Sequence, residues 1–122
     1  DGASVLIMSS SIEWLDILSD ILKRYDYQVS GVSRLADCSK LVKLQSFDCI
    51  LFDYDRSAGE VVGVIEEIRK IRPGTPIVIM LASSEARAFT MLGQFRGVTV
   101  IGRSSDVRQV VRSVKSAVSA DK

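Results

Sequence analysis

Five short apolar runs alternate with five amphipathic segments along this chain, and this alternation restricts its fold more than any other feature. The third run, Cys49–Phe52, has four apolar residues in succession, which is typical of a strand buried on both faces of a parallel sheet. The amphipathic segments carry apolar residues at steps of three and four, as helices do. Repeated βα units of this kind predict a parallel sheet with helices on both faces.

We therefore predict an α/β fold with one doubly wound, five-stranded sheet in the order 2-1-3-4-5, the flavodoxin-like arrangement. Ser10 and Glu13 have the spacing of a capping box, so Ser10 is the predicted N-cap of the first helix, and Ser105 that of the last. Leu44 is expected to face the core at the end of the second helix. The predicted strands cover 4–8, 27–32, 49–53, 76–81 and 98–101, and the predicted helices 11–25, 35–44, 59–71, 85–95 and 106 onward.

The length and composition predict one domain over 1–122, with an ordered core over 3–120 and termini cut from a longer protein. The 122 residues are 47% hydrophobic and 25% charged, as in soluble globular proteins. A net charge of +1 with dispersed basic residues predicts no nucleic-acid partner. No apolar run approaches the ~20 residues of a membrane span, and two unpaired cysteines favour a reducing cytoplasm.

Histidine is absent from the sequence, which excludes Ser-His-Asp and Cys-His catalysis within this chain. Two cysteines without histidine cannot supply the four ligands of a zinc site. The chain also cannot itself be a phosphohistidine donor. We expect no enzymatic activity and no cofactor, with Mg²⁺ only under one of the alternatives given below.

Asp53 is the first candidate functional residue, because it follows the buried third run at the predicted carboxyl end of a strand. Ligands of open α/β sheets bind at that edge. Asp48, on the other side of the same run, is interpreted as a solvated residue before the strand.

The sequence resembles the response-regulator receiver domain over nearly its whole length. The resemblance depends on the five βα units, on the pattern Phe47-Asp48…Asp53, and on the segment 71–78 that leads into the fourth strand. It implies that Asp53 occupies the phosphoacceptor position and that the domain takes part in two-component, phosphorelay signalling.

The first departure from the family pattern concerns the metal. The family has an acidic pair that holds Mg²⁺ after its first strand, and here those positions are Ser9 and Ser10. Two neutral hydroxyls do not replace two carboxylates as ligands of this hard cation. Phosphoryl transfer relies on such charge neutralisation, so we expect weak Mg²⁺ binding and slow phosphorylation.

Further departures affect the residues that sense a phosphoryl group. The family's hydroxyl residue after the fourth strand is Ala82 here, with Ser83 as a possible substitute, and its lysine is Arg103. Its aromatic switch residue is Val100. Asp55 could supply some of the missing negative charge. We also consider an ion pair between Arg103 and the acid of the third strand, which would neutralise the site.

These departures predict an atypical receiver, a pseudo-receiver that acts as an interaction and dimerisation module. The expected partners are an effector domain, a histidine kinase or a regulatory protein, with a possible homodimer through the last two helices and the fifth strand. Two alternatives remain. One is a working phosphoacceptor, phosphorylated at Asp53 by a histidine kinase with Mg²⁺. The other is a small flavin- or nucleotide-binding protein on the same fold.

Overall fold

The computed structural model describes residues 2–54, 58–81, 86–102 and 106–120. Strands and helices alternate throughout these ranges, as the apolar pattern predicts. The strands are β1 (Ser4–Ser9), β2 (Gln28–Val32), β3 (Cys49–Tyr54), β4 (Ile77–Leu81) and β5 (Val98–Gly102). The helices are α1 (Ile12–Arg24), α2 (Leu35–Leu44), α3 (Ala58–Ile71), α4 (Ala86–Gly93) and α5 (Val107–Ala120).

The five strands form one parallel sheet in the order β2-β1-β3-β4-β5, which confirms the predicted fold and strand order. The central strand β3 pairs with β1 on one side and with β4 on the other. Leu6 lies opposite Ile50 in the first of these pairs, and Ile50 lies opposite Ile77 in the second. All carboxyl ends of the strands therefore meet at one edge.

Alternate residues of β3 supply two hydrophobic cores, one on each face of the sheet. Ile50 and Phe52 pack on the face that α2, α3 and α4 cover, whereas Cys49 and Leu51 pack on the face that α1 and α5 cover. All four side chains are fully buried. The absence of polar alternation in this run thus follows from burial on both sides.

One predicted core residue, Leu44, was assigned wrongly. It is the last residue of α2 and is 78% exposed. The buried residues of this helix are Cys38 and Val42, which are four positions apart. Leu44 follows Val42 by two positions, about 200° further round the helix, so its side chain points away from the sheet.

The predicted N-cap of α1 was also wrong by one residue. Ser11, not Ser10, has extended backbone angles and accepts a hydrogen bond from the Trp14 backbone N–H through its side chain. The shift arises because β1 continues through Ser9, one residue beyond its predicted end. Glu13 is consequently not in the capping-box position.

The helix α5 begins after Asp106, whose Oδ1 accepts a hydrogen bond from the Arg108 backbone N–H at 2.9 Å. Asp106 therefore has the hydrogen bond of an N-cap, and the predicted cap Ser105 lies outside the described residues.

Other differences from the predicted elements are small. α4 ends at Gly93, so Phe95 lies in the turn that follows. Asp48 is half-buried, and its Oδ2 accepts a hydrogen bond from the Ser4 backbone N–H at 2.8 Å. It thus anchors the start of β1, which corrects its interpretation as a solvated residue. Among the helices described, none is long and apolar enough to cross a membrane.

Candidate functional site at the carboxyl edge of the sheet

Strand register brings Ser9 and Asp53 together at the carboxyl edge of the sheet. They lie directly opposite each other in the parallel pair of β1 and β3. Both side chains point to the same face as Leu51, because strand residues alternate between faces. The two positions that the sequence singled out, from segments 44 residues apart, therefore meet at one point.

The Ser9 hydroxyl donates a hydrogen bond to Oδ2 of Asp53, with an oxygen–oxygen distance of 2.7 Å. The same hydroxyl oxygen accepts a hydrogen bond from the Ser11 backbone N–H at 3.2 Å, and it lies 3.0 Å from the Ser11 carbonyl oxygen. A hydroxyl has one proton to donate, and the shorter contact favours the carboxylate. Ser9 thus connects the entry of α1 to Asp53.

Both Ser9 and Asp53 are fully buried. Burial of a carboxylate requires hydrogen bonds to offset the loss of water, and the Ser9 hydroxyl supplies one of them. A second acid at the position of Ser9 would instead place a like charge beside Asp53. The site as built therefore pairs Asp53 with a neutral donor at this position.

The donor set for a metal is correspondingly small. Within the described ranges, no group of three or more histidine, cysteine, aspartate or glutamate side chains lies close enough together to hold a metal ion. The pair of Ser9 and Asp53 offers one carboxylate and one neutral hydroxyl to a Mg²⁺ ion. Mg²⁺ prefers carboxylates and phosphate oxygens, so this pair fits the ion poorly.

The remaining predicted site residues are distributed differently. Ser10 is exposed beside the site. Val100 is partly buried and packs against the core that α2, α3 and α4 cover. Four of the predicted residues lie outside the described ranges, namely Asp55, Ala82, Ser83 and Arg103. The ion pair between Arg103 and Asp53 therefore stays a prediction.

Asp106 adds a charged feature to this edge that the sequence analysis missed. Its Oδ2 accepts hydrogen bonds from Nε and Nη2 of Arg108 at 2.9 and 2.6 Å. The side-chain hydrogen bonds from Arg108, followed by the backbone one, lower the pKa of Asp106 to about 2. The available signal was an aspartate immediately before a valine-periodic helix, which is a common N-cap pattern.

Response-regulator receiver domains have a parallel sheet of this order, with an acid at the carboxyl end of the central strand. Comparison with solved structures shows that this chain has the same fold. The chain is similar to a CheY-like receiver domain protein from Methanospirillum hungatei, with a TM-score of 0.88 and 18% identity, over 99% of this chain and 97% of that one. It is similar to the beryllofluoride-activated NtrC4 receiver domain dimer, with a TM-score of 0.88 and 18% identity, over 98% of both chains.

Among curated proteins, the sequence is similar to the transcriptional regulatory protein ZraR of Escherichia coli K12. The two are 26% identical over 84 residues, which are 69% of this chain and 19% of that protein. The ZraR of Escherichia coli O157:H7 is 25% identical over the same length. The chain thus spans about a fifth of the length of the curated relatives it matches. No family model matches the sequence.

Proposed function

We propose that this chain is an atypical receiver domain of two-component signalling, in which Mg²⁺-dependent phosphorylation of Asp53 is impaired. It acts as an interaction module that stays in one state until a partner binds. It is not an enzyme, requires no cofactor and works in the cytoplasm. The receiver fold and the similarity to ZraR support the signalling setting.

One observation carries the proposal of impaired phosphorylation: the hydrogen bond from the Ser9 hydroxyl to Asp53. A phosphoryl donor needs an accessible carboxylate and a cation that offsets the charge on the transferring oxygens. Here the carboxylate is buried, and a neutral donor stands where the receiver pattern has an acid. Phosphorylation would therefore have to break this contact without the electrostatic gain that the metal supplies.

The proposed partners follow from the relatives. ZraR is named a transcriptional regulatory protein and is about five times as long as the matched segment, which supports an effector domain attached to this chain. NtrC4 was solved as a receiver domain dimer. We propose a homodimer through α4, β5 and α5, and a histidine kinase or regulatory protein as the other partner.

The experiment combines backbone amide spectra with intact mass. The protein is titrated with Mg²⁺ and then with beryllofluoride, a mimic of the aspartyl phosphate, and its mass is measured after incubation with acetyl phosphate. We expect no saturable amide shifts around Asp53 at millimolar Mg²⁺ and no added phosphate. Saturable shifts and one added phosphate, both lost in Asp53→Asn, would establish the working phosphoacceptor instead.

A second variant tests whether the missing acids cause the impairment. The double variant Ser9→Asp/Ser10→Asp restores the acidic pair, and Ser9→Asn/Ser10→Asn is the matched uncharged control. We expect Mg²⁺-dependent shifts around Asp53 in the first variant and none in the second. If the aspartate variant folds and shows no Mg²⁺-dependent amide shifts, the impaired phosphorylation has another cause than the missing acids.

A further inference from the structure

A cavity of about 590 Å³ lies at the amino edge of the sheet, the opposite end from Asp53. The segment before β4, the first residues of β5 and the last turns of α5 border it, and it opens to solvent. Its apolar lining comes from Pro73, Pro76, Val98 and Ala117. Small-molecule sites commonly have about 300–1,000 Å³, so its volume suits a small ligand.

Two arginines, Arg69 and Arg96, line this cavity, and none of its described lining residues is acidic. Within the described residues, neither arginine forms an ion pair. The hydroxyl residues Thr99 and Ser116 complete the polar lining. The cavity therefore presents positive charge and hydrogen-bond donors next to apolar surface.

Two backbone carbonyl groups hold the guanidinium of Arg69 in place. Its Nη1 donates to the Thr75 carbonyl oxygen, and its Nη2 donates to the Arg96 carbonyl oxygen at 2.7 Å. Its Nε is buried and has no hydrogen-bond partner in the described structure. Burial accordingly lowers the pKa of Arg69. A positive charge that is fixed, partly desolvated and not neutralised attracts an anion more strongly than a solvated one does.

We propose that this cavity is a binding site for a small organic phosphate. Arg69 supplies a fixed charge, Arg96 contacts the phosphate with its exposed guanidinium, and the apolar lining covers a flat organic group. Arginine donors match the oxygens of a phosphate in pairs. This inference is independent of the proposed function, because it involves neither Asp53 nor Ser9.

The test uses adenosine 5′-monophosphate as the probe and adenosine as its uncharged counterpart, each added to the intact chain at constant ionic strength. Backbone amide shifts are followed at Gly74, Gly97 and Thr99, which line the cavity. The informative variant is Arg96→Gln. The side chain of Arg96 is exposed, and its structural contact is made by its carbonyl oxygen, so the fold should be retained. Arg24→Gln, at an exposed arginine that does not line the cavity, is the matched control.

We expect saturable shifts with the nucleotide, a Kd raised about tenfold or more in Arg96→Gln, and an unchanged Kd in Arg24→Gln. Adenosine should give no saturable shift. The proposal is overturned if the nucleotide gives no saturable shifts at millimolar concentration, if adenosine binds equally well, or if both variants weaken binding equally.

Discussion

At the scale of single residues, the Ser9 hydroxyl determines that Asp53 has a neutral neighbour at this position and not a charged one. Two carboxylates about 4 Å apart repel by roughly 1–4 kcal/mol in water or near a protein surface, so an acidic pair beside Asp53 would need a cation. Ser9 removes that repulsion and adds a hydrogen bond at 2.7 Å. Asp53 is thereby held by a neutral donor and not placed beside a second negative charge.

The Ser9 hydrogen bond predicts the effect of Ser9→Ala. Removing the hydroxyl deprives a buried carboxylate of a partner, which should lower the free energy of unfolding by about 1–3 kcal/mol. Urea denaturation measures this difference. Ser46→Ala is the control, because Ser46 is exposed in a loop, and it should change stability by less than about 0.5 kcal/mol. Equal effects of the two variants would contradict the assigned hydrogen bond.

Asp106 predicts a specific pH dependence. Its hydrogen bonds with Arg108 lower its pKa to about 2, below the ordinary value of 3.8. The ionised form therefore stabilises the folded state above pH 3.8, and this contribution is lost as the pH falls through about 2. Carbon-detected NMR titration of the Asp106 carboxyl group should give a midpoint near 2.

The matched variant for this titration is Arg108→Gln, which removes the side-chain donors and keeps the backbone N–H that Asp106 caps. Its Asp106 midpoint should move up toward the ordinary value. An unchanged midpoint would mean that the backbone hydrogen bond alone, and not the Arg108 side chain, sets the pKa.

At the scale of elements, the approach to β5 depends on a glycine. Gly97 joins the turn after α4 to β5 and has a φ of +74°. A Cβ at this position would lie 2.9 Å from Nη2 of Arg69. The left-handed backbone strains any L side chain here, and the Arg69 guanidinium would have to shift to make room for it. Gly63, within α3, is surrounded by open space, since a Cβ there would meet no neighbouring atom within 4 Å.

These two glycines predict opposite effects of the same substitution. Gly97→Ala should destabilise the protein by about 1–2 kcal/mol, because alanine is strained at positive φ. Gly63→Ala should stabilise it by about 0.5–1 kcal/mol, because alanine is the better helix former. Thermal and urea unfolding of both variants measure the two changes. A stabilising Gly97→Ala would show that the turn is assigned wrongly.

At the scale of the whole molecule, the parallel sheet separates two polar regions. The Asp53 site lies at its carboxyl edge, and the cavity with Arg69 lies at its amino edge. A domain whose carboxyl edge does not respond to phosphorylation should keep one quaternary state. We therefore expect sedimentation velocity to give the same oligomer with and without Mg²⁺ and beryllofluoride. A dimer that appears only after their addition would contradict the proposed function.

The fold could be predicted because it depends on apolar patterns that extend over many residues and do not rest on any single one. Five apolar runs and five helical stripes remain recognisable when single residues are misjudged, as the exposed Leu44 shows. Local detail was less predictable. Ser9, Ser10 and Ser11 are chemically identical candidates for the N-cap of α1. Ser11 is the N-cap because β1 extends through Ser9. Asp48 was misread because its partner, the Ser4 backbone, belongs to a strand distant in sequence.

The candidate site was predictable in position but not in contacts. The end of an apolar run located Asp53, and the resemblance singled out Ser9. Their hydrogen bond depends on the register between β1 and β3, which no local pattern encodes. The cavity at the amino edge was not predictable either, since Arg69, Arg96 and Ser116 come from segments that meet only in the folded chain.

Two side-chain hydrogen bonds, one at each end of β1, also constrain when this part of the fold can form. Asp48 holds the start of β1 through Ser4, and Asp53 holds its end through Ser9, each across 44 residues. During synthesis β1 leaves the ribosome well before β3, so it stays unpaired with β3 until that strand has emerged. The chain between them must close as a loop before either contact forms, which costs entropy and slows folding. The hydrogen bond between Ser9 and Asp53 therefore cannot form before β3 has been synthesised and has paired with β1.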